Sequence, residues 1–406
     1  MNKKIKISLL SCTAIGSGLA HAEQVLSLHQ MQYQEDDDRI KVADTSLALK
    51  LDFGVDYSLD LSLGYDSVTG ASPTWQIANS GQISANEALF RQNELEQGQA
   101  MTEETLLGYA HDVSQYQIQR VPLEDTRKSA AAALTIRDVY RNEWVLGLAH
   151  SEEDDYKSSS VSASYLLFLD KGKNRSVNIG FAYLNDKTLV FGTGYQSRTE
   201  EKIQVINFET GLTQVLSPTS VFDVKLFFNH DNGYLSNHYL TILRGIDINE
   251  DDVITDDEYF LASDSRPDVR NGFGTKLSYS TQFWPWLTGQ FSYRYYQDSW
   301  SINSHTASAS LSFEIFDGVF ITPEYIRYQQ GQAEFYLNPN VKEPYFTASG
   351  DGSNDTRLGD FSADTYGLII SYQVTSDWQL DLAVNRYQQS NQFAASWAVM
   401  GVNYRF

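Results

Sequence analysis

Polar and apolar residues alternate in run after run along most of this chain. In "YSLDLSLGYD", Tyr57, Leu59, Leu61, Leu63 and Tyr65 fall on one face, and Ser58, Asp60, Ser62, Gly64 and Asp66 on the other. Successive side chains of an extended strand point to opposite faces, so this period of two predicts a strand with one apolar and one polar side. The pattern recurs in "FGTKLSYSTQF" (Phe273, Leu277, Tyr279, Phe283) and "WLTGQFSYRYY" (Leu287, Phe291, Tyr293, Tyr295). It returns in "ASASLSFEI" (Leu311, Phe313, Ile315) and "WQLDLAVNRY" (Trp378, Leu380, Leu382, Val384). The opposite faces of these runs carry Lys276, Gln290, Arg294, Glu314, Asp381 and Asn385.

Alternation suits both a soluble sandwich and a membrane barrel, and three features select the barrel. Many runs reach 10 to 15 residues, enough for a tilted strand to cross a bilayer and longer than most sandwich strands. Tyr57, Tyr65, Trp144, Trp286 and Trp378 sit at the ends of apolar faces, where aromatic rings favour the headgroup region. The chain ends in "GVNYRF", with Gly401, Tyr404 and Phe406. That ending resembles the signal by which barrel proteins are handed to the outer-membrane assembly machinery, the first partner expected.

The runs predict strands at 24–34, 39–53, 57–67, 127–138, 143–152, 157–169, 175–188 and 201–215 in the first half. The second half adds 219–230, 270–283, 286–298, 303–316, 319–332, 361–374, 377–389 and 393–406. The expectation is therefore an all-β, antiparallel transmembrane barrel of about sixteen strands, wide enough for an aqueous lumen. Short turns ("DFGVD", "LDKGKN", "LSPTS", "FWPW", "FDGV", "VTSDW") collect at one end, and the long connections 68–126, 231–269 and 333–360 at the other. Outer-membrane barrels have this asymmetry.

Composition refines the picture. Residues 1–22 have a basic start (Lys3, Lys4, Lys6), a short apolar stretch and an Ala20-His21-Ala22 site, which reads as a secretory signal preceding a barrel at 23–406. A lipoprotein reading would modify Cys12, but the apolar stretch before it is very short. Cys12 is the single cysteine, so the exported chain has no disulfide framework or thiolate metal site. The formal charge is −22, more negative still without the leader lysines, and it repels nucleic acid. After the leader no apolar run is long enough for a transmembrane helix.

The blocks "YQEDDDRIKV" (33–42), "DSVTGASP" (66–73), "GYLSN" (233–237), "SRPDVR" (265–270), "YRYYQDSWSINSHT" (293–306) and "EYIRYQQGQAEFY" (324–336) span nearly the whole mature chain. Together they resemble an uncharacterised, domain-of-unknown-function family of Gram-negative outer-membrane barrels. The resemblance implies fold and location in the bacterial outer membrane, among lipid and lipopolysaccharide, without supplying an activity.

One stretch carries metal-ligand spacing. In "DINEDDVITDDE", Asp247, Asn249 and Asp251 occupy positions 1, 3 and 5 of a twelve-residue calcium loop, with the Val253 carbonyl at 7, Thr255 at 9 and Glu258 at 12. A hard cation takes six to eight oxygens, and alternate side chains around a tight turn can supply them. Asp252 stands where the pattern wants Gly. The expectation is calcium pinning an outer loop, against a solvated acidic loop. The clusters "EDDDR" (35–39), "SEEDD" (151–155) and "GDGSNDTRLGD" (350–360) read as charged surface loops. Asp60, Lys276, Arg294, Glu314 and Asp381 read as lumen residues, either forming a selectivity ring or pairing with one another.

The connection 68–126 is too long for a plain loop. Its "SANE" (Ser84, Glu87) and "TEETLLGYA" suggest helical turns, in a segment folding into the lumen or standing outside it. The mature histidines His29, His111, His150, His230, His238 and His305 lie in no metal or nucleophile motif, so catalysis is not expected. The expected function is a porin-like channel for small solutes. The alternatives are a loop-plugged structural or partner-binding barrel of an exported envelope or redox system, and a barrel hydrolase using His305.

Overall fold

The computed structural model describes residues 24–77, 116–191, 198–245, 247, 251, 253–256, 258–339, 345–347 and 349–406. Its strands are β1 (Val25–Glu35), β2 (Ile40–Phe53), β3 (Tyr57–Ile77), β4 (Tyr116–Arg137), β5 (Glu143–Glu152), β6 (Tyr156–Phe168), β7 (Arg175–Phe191), β8 (Arg198–Ser217) and β9 (Ser220–Gly233). They continue as β10 (Thr241–Gly245), β11 (Tyr259–Ser263), β12 (Val269–Trp284), β13 (Leu287–Asp298), β14 (Asn303–Phe316), β15 (Val319–Gln330), β16 (Phe361–Gln373), β17 (Trp378–Gln389) and β18 (Ala394–Arg405).

All but β10 and β11 form one closed antiparallel barrel of sixteen strands. Closure is made by β1 on β18, from Val25 opposite Arg405 to Glu35 opposite Ala395. Hydrocarbon offers no partner to a backbone amide, and a ring leaves no edge whose hydrogen bonds go unmade.

Register assigns the faces. Tyr57, Ile136, Trp144, Tyr165 and Ile179 are successive cross-strand neighbours, and Leu61, Ala132, Leu148, Val161 and Tyr183 form a parallel row nearer the far end. Leu61, Leu63, Leu146, Leu148, Phe181, Phe208, Leu226 and Leu382 all lie exposed, which water would penalise and lipid favours. Near the short-turn end the belt meets paired rings. Trp144 lies on Tyr165 at 4.4 Å, Trp284 on Trp286 at 5.5 Å, and Trp378 on Tyr404 at 4.6 Å. Tyr325 and Tyr366, 5.4 Å apart, mark the opposite level. Short turns close tightly, as at Gly318, whose φ of +74° is one that L side chains rarely adopt.

Two of the long connections depart from the loops expected. Val68–Ile77 and Tyr116–Thr126 are strand, pairing from Val68 opposite Asp125 to Ile77 opposite Tyr116, so much of the expected 68–126 loop is a ribbon projecting beyond the wall. Pro73 lies within this ribbon, whose unpaired outward N–H positions a proline can occupy. "SANE" and "TEETLLGYA" lie outside the described residues. The connection after β9 contains the hairpin β10–β11, paired from Thr241 opposite Ser263 to Gly245 opposite Tyr259. The acidic clusters are only partly surface: Glu35, Asp155 and Asp355 are buried, Glu35 beside its near neighbours Tyr33 and Arg39, and Asp155 and Asp355 beside the sequence-distant Tyr239 and Arg266.

Candidate functional site: the lumen and its lid

The inward face of β3–β7 is built from small residues. Ser62, Ala131, Ala149 and Ser160 are cross-strand neighbours, as are Gly147 and Ser162. Their strand neighbours Leu61, Leu148 and Val161 point outward, so strand alternation turns them inward. Ser62, Ala149 and Ser162 are nonetheless exposed, so the interior beside this wall is open to water.

The far wall is cationic and bulky. Lys225 lies opposite Lys276, and Lys276 opposite Arg294. The Arg294 guanidinium sits 4.6 Å from the Phe227 ring and 5.2 Å from Tyr296, a cation–π clamp that holds it against the wall. Gly274 makes room for it: a Cβ there would come within 2.2 Å of Phe227 Cζ and 2.5 Å of the Tyr295 carbonyl oxygen.

Half a turn around the sixteen-strand ring, on β2 and β3, the inward residues are acidic. Asp44 lies opposite Asp66, and Lys50 opposite Asp60, with Asp66 also paired to Arg127. Among the described residues no ion pair joins Asp60, Lys276, Arg294, Glu314 or Asp381 to one another. Asp381 is instead held by Gln379 at 3.0 Å and Asn403 at 2.8 Å. Acids thus outnumber cations on β2–β3, while Lys225, Lys276 and Arg294 cluster on the opposite wall with Asp223 beside them on the same face of β9, so a solute crossing the lumen would meet an uneven field.

The outer loops build a lid with its own core. Leu235, Trp300, Ile302, Ala333, Phe335, Tyr336 and Leu358 form one buried cluster, and Ile242, Phe260, Ala262 and Phe346 a second. Every residue of β10 and β11 is buried. Backbone bridges from Arg244 to Phe346 and from Ser265 to Gly352 join the hairpin to the loop after β15. At the centre Arg266 Nε lies 2.7 Å from Asp264 and Nη2 2.9 Å from Asp355, with side-chain exposures of 2%, 0% and 6%. Burial alone would raise the Asp355 carboxyl, but the Arg357 and Arg266 guanidinium groups hold it far below the usual carboxylate range. The lid also reaches along the rim: Tyr239, in the connection after β9, donates to Asp155 in the β5–β6 turn, and His238 Nε2 lies 3.6 Å from the same carboxylate.

The predicted calcium residues lie at the hairpin tip between β10 and β11. Asp247 Oδ1 accepts from the Asp251 N–H at 3.2 Å, and Asp251 Oδ1 from the Val253 N–H at 2.9 Å. Glu258 Oε2 accepts from both the N–H and the hydroxyl of Thr255, at 2.7 and 2.9 Å, and the Glu258 N–H donates to the Thr255 carbonyl at 3.0 Å. Asn249 and Asp252 lie outside the described residues. Among the described residues the acids whose ligand atoms converge within 4.8 Å are Asp125, Glu153 and Asp155, a grouping that sequence spacing did not reveal. Glu153 and Asp155 were in view as "SEEDD", but Asp125 is far away in sequence.

His305 accepts or donates at 2.6 Å with the Tyr293 hydroxyl on the outer wall, away from the lumen. The lid core left a short signal in the sequence, the apolar residues Tyr259, Phe260 and Leu261 of "YFLAS" directly after the acidic stretch, whereas "TILRG" with its Arg244 gives none. Four of the resemblance blocks supply Leu235, Arg266, Trp300, Ile302, Ala333, Phe335 and Tyr336 to the lid.

Comparison with solved structures places the fold among outer-membrane proteins. A bacterial polysaccharide outer membrane secretin aligns at a TM-score of 0.50 and 8% identity, covering 96% of this chain and 100% of that one. CdiB from Acinetobacter baumannii aligns at 0.51 and 8% identity, covering 96% of this chain and 61% of that one. Among curated proteins none matches. The described residues close a sixteen-strand barrel, and a family described as protein of unknown function (DUF3570) matches residues 9–404, so the chain belongs to this family.

Proposed function

We propose that the protein is a channel of the bacterial outer membrane for small, polar, charged or dipolar solutes, with access governed by the lid. The observation that carries this reading is the lumen: a water-exposed wall of small residues on β3–β6, flanked by an acidic side on β2–β3 and a basic side on β9, β12 and β13. Solutes would diffuse along the hydroxyl wall while the field orients dipoles and biases ions.

The buried hairpin favours a second reading, a barrel closed by its loops that serves a structural or partner-binding role. Conductance separates the two. The refolded full chain in a planar bilayer gives discrete steps, and Lys276→Glu with Lys225→Glu shifts the reversal potential in a salt gradient toward cation selectivity. Silence from folded protein, including an Arg266→Ala variant with its lid loosened, overturns the channel reading in favour of the closed barrel.

A further inference from the structure

The outer wall carries a groove that conduction does not use. Ala130 and Ala132 on β4 form its floor, between Leu61 and Leu63 on one side and Leu148 and Val161 on the other, enclosing about 800 Å³. Alanines stand where the neighbouring strands carry leucine, since Ala130 lies opposite Leu63 and Ala132 opposite both Leu61 and Leu148. The wall is indented there into an open apolar trough.

Directly outward of the groove the side chains become basic. Lys128, Glu152, Lys157, Lys187 and Lys202 are successive cross-strand partners from β4 to β8. Glu152 pairs with Lys157 at 2.6 Å and Glu200 with Lys187 at 2.7 Å, so four lysines stand against two glutamates. Other cations at this outer level are matched singly: Arg327 by Asp364, Arg386 by Asp36, and Lys41 by Asp38. In a chain of formal charge −22 the excess of lysine is local. Between floor and row, His150 Nδ1 and Ser159 Oγ lie 2.9 Å apart on the outer surface, offering polar contacts at the boundary.

We infer that this groove holds a phosphorylated, multiply acylated lipid of the outer leaflet, a lipid A type glycolipid. Its acyl chains lie over Ala130 and Ala132 and its phosphates against Lys128, Lys157, Lys187 and Lys202. Lysine recognises phosphate as a point charge, and a basic row at the headgroup level attracts anionic lipid. A groove several strands wide takes chains side by side. The inference rests on the outer-membrane placement proposed above but not on conduction, so a silent channel would leave it standing.

Native mass spectrometry of the full chain in mild detergent, with lipid A and phosphatidylglycerol in equal amounts, tests it. The expected result is a predominant single lipid A adduct. Lys128→Glu/Lys157→Glu/Lys187→Glu weakens it by about a hundredfold, from roughly tenfold or less per lysine. Ala132→Phe, which only fills the groove, carries the test if the triple variant fails to fold. Arg327→Glu leaves the adduct intact. Equal retention of phosphatidylglycerol, or an unchanged adduct in folded triple-variant or Ala132→Phe protein, overturns the inference.

Discussion

Arg266→Ala is expected to unlatch the lid while leaving the barrel closed. The guanidinium bridges Asp264 and Asp355, and all three side chains are almost fully buried. Removing one partner of a buried ion pair costs about 3–5 kcal/mol, because the remaining charge keeps its desolvation penalty. Here the remaining carboxylates are partly supported. Asp355 retains Arg357, with contacts of 2.8 and 2.5 Å, and Asp264 retains the Asn237 N–H at 2.7 Å. The lower end, about 3 kcal/mol, is therefore the appropriate magnitude. It corresponds to about a hundredfold rise in the undocked population, at 1.36 kcal/mol per tenfold. Hydrogen exchange of the detergent-solubilised protein reads this directly. Amides of Ile242–Gly245 and Phe260–Ser263 should exchange about a hundredfold faster, while those of β16 and β17, bonded within the wall, stay unchanged. Arg266→Lys should fall between, since an ammonium cannot make the forked contact with two carboxylates. Exchange in the hairpin within about threefold of the parent would refute the latch, and equal acceleration throughout the barrel would refute its independence.

The pH response of the lid has a definite sign. Asp355 titrates far below an ordinary carboxyl, so its contribution is complete above the unfolded value near 4 and is lost as pH falls below it. Hairpin exchange, corrected for its intrinsic pH dependence, should stay flat from about pH 8 to 5 and rise below about 4; a rise already at about pH 6 would show that the Asp355 carboxylate is not what holds the latch. Gly274→Ala puts a Cβ against both the Phe227 ring and a backbone carbonyl, and should lower barrel stability by about 1–3 kcal/mol in urea unfolding from vesicles; an unchanged midpoint would show that Phe227 and Arg294 can rotate away. If calcium gathers the hairpin tip, added calcium should protect the peptide 247–258 from protease and chelation should reverse it. Protection that survives Glu258→Gln and Asp247→Asn would locate the ion elsewhere.

The wall was readable because each barrel strand carries its own signal. The segments 143–152 and 303–316 coincide with β5 and β14, and the other barrel strands differ mainly at their outer ends. Lipid outside and water inside impose alternation locally, so no knowledge of partners is needed. The outer structure depends on distant residues and was legible only in fragments. Arg266 and Asp355 are separated by 89 positions, and each alone looks like a solvated charge. Lys276 and Arg294 were visible as lumen residues, but that Lys225 adjoins them, and that Asp44 and Asp66 face them, follows from register and ring closure. The calcium spacing in 247–258 is a true sequence pattern, yet the described side chains use part of it to fold the turn itself.

The seam between β1 and β18 has a consequence for biogenesis. Ser27 bonds Asn403 across 376 positions of chain, and the Phe406 N–H donates to the Gln24 carbonyl at 3.0 Å. The first strand made cannot find its second neighbour until the last one has left the ribosome. Until then the nascent sheet has two open edges, each a template for mispairing with another copy, and its contacts are among the least local a chain of this length can make. Synthesis and folding are thus separated in time, and a chain truncated before its final strand has no way to complete the ring.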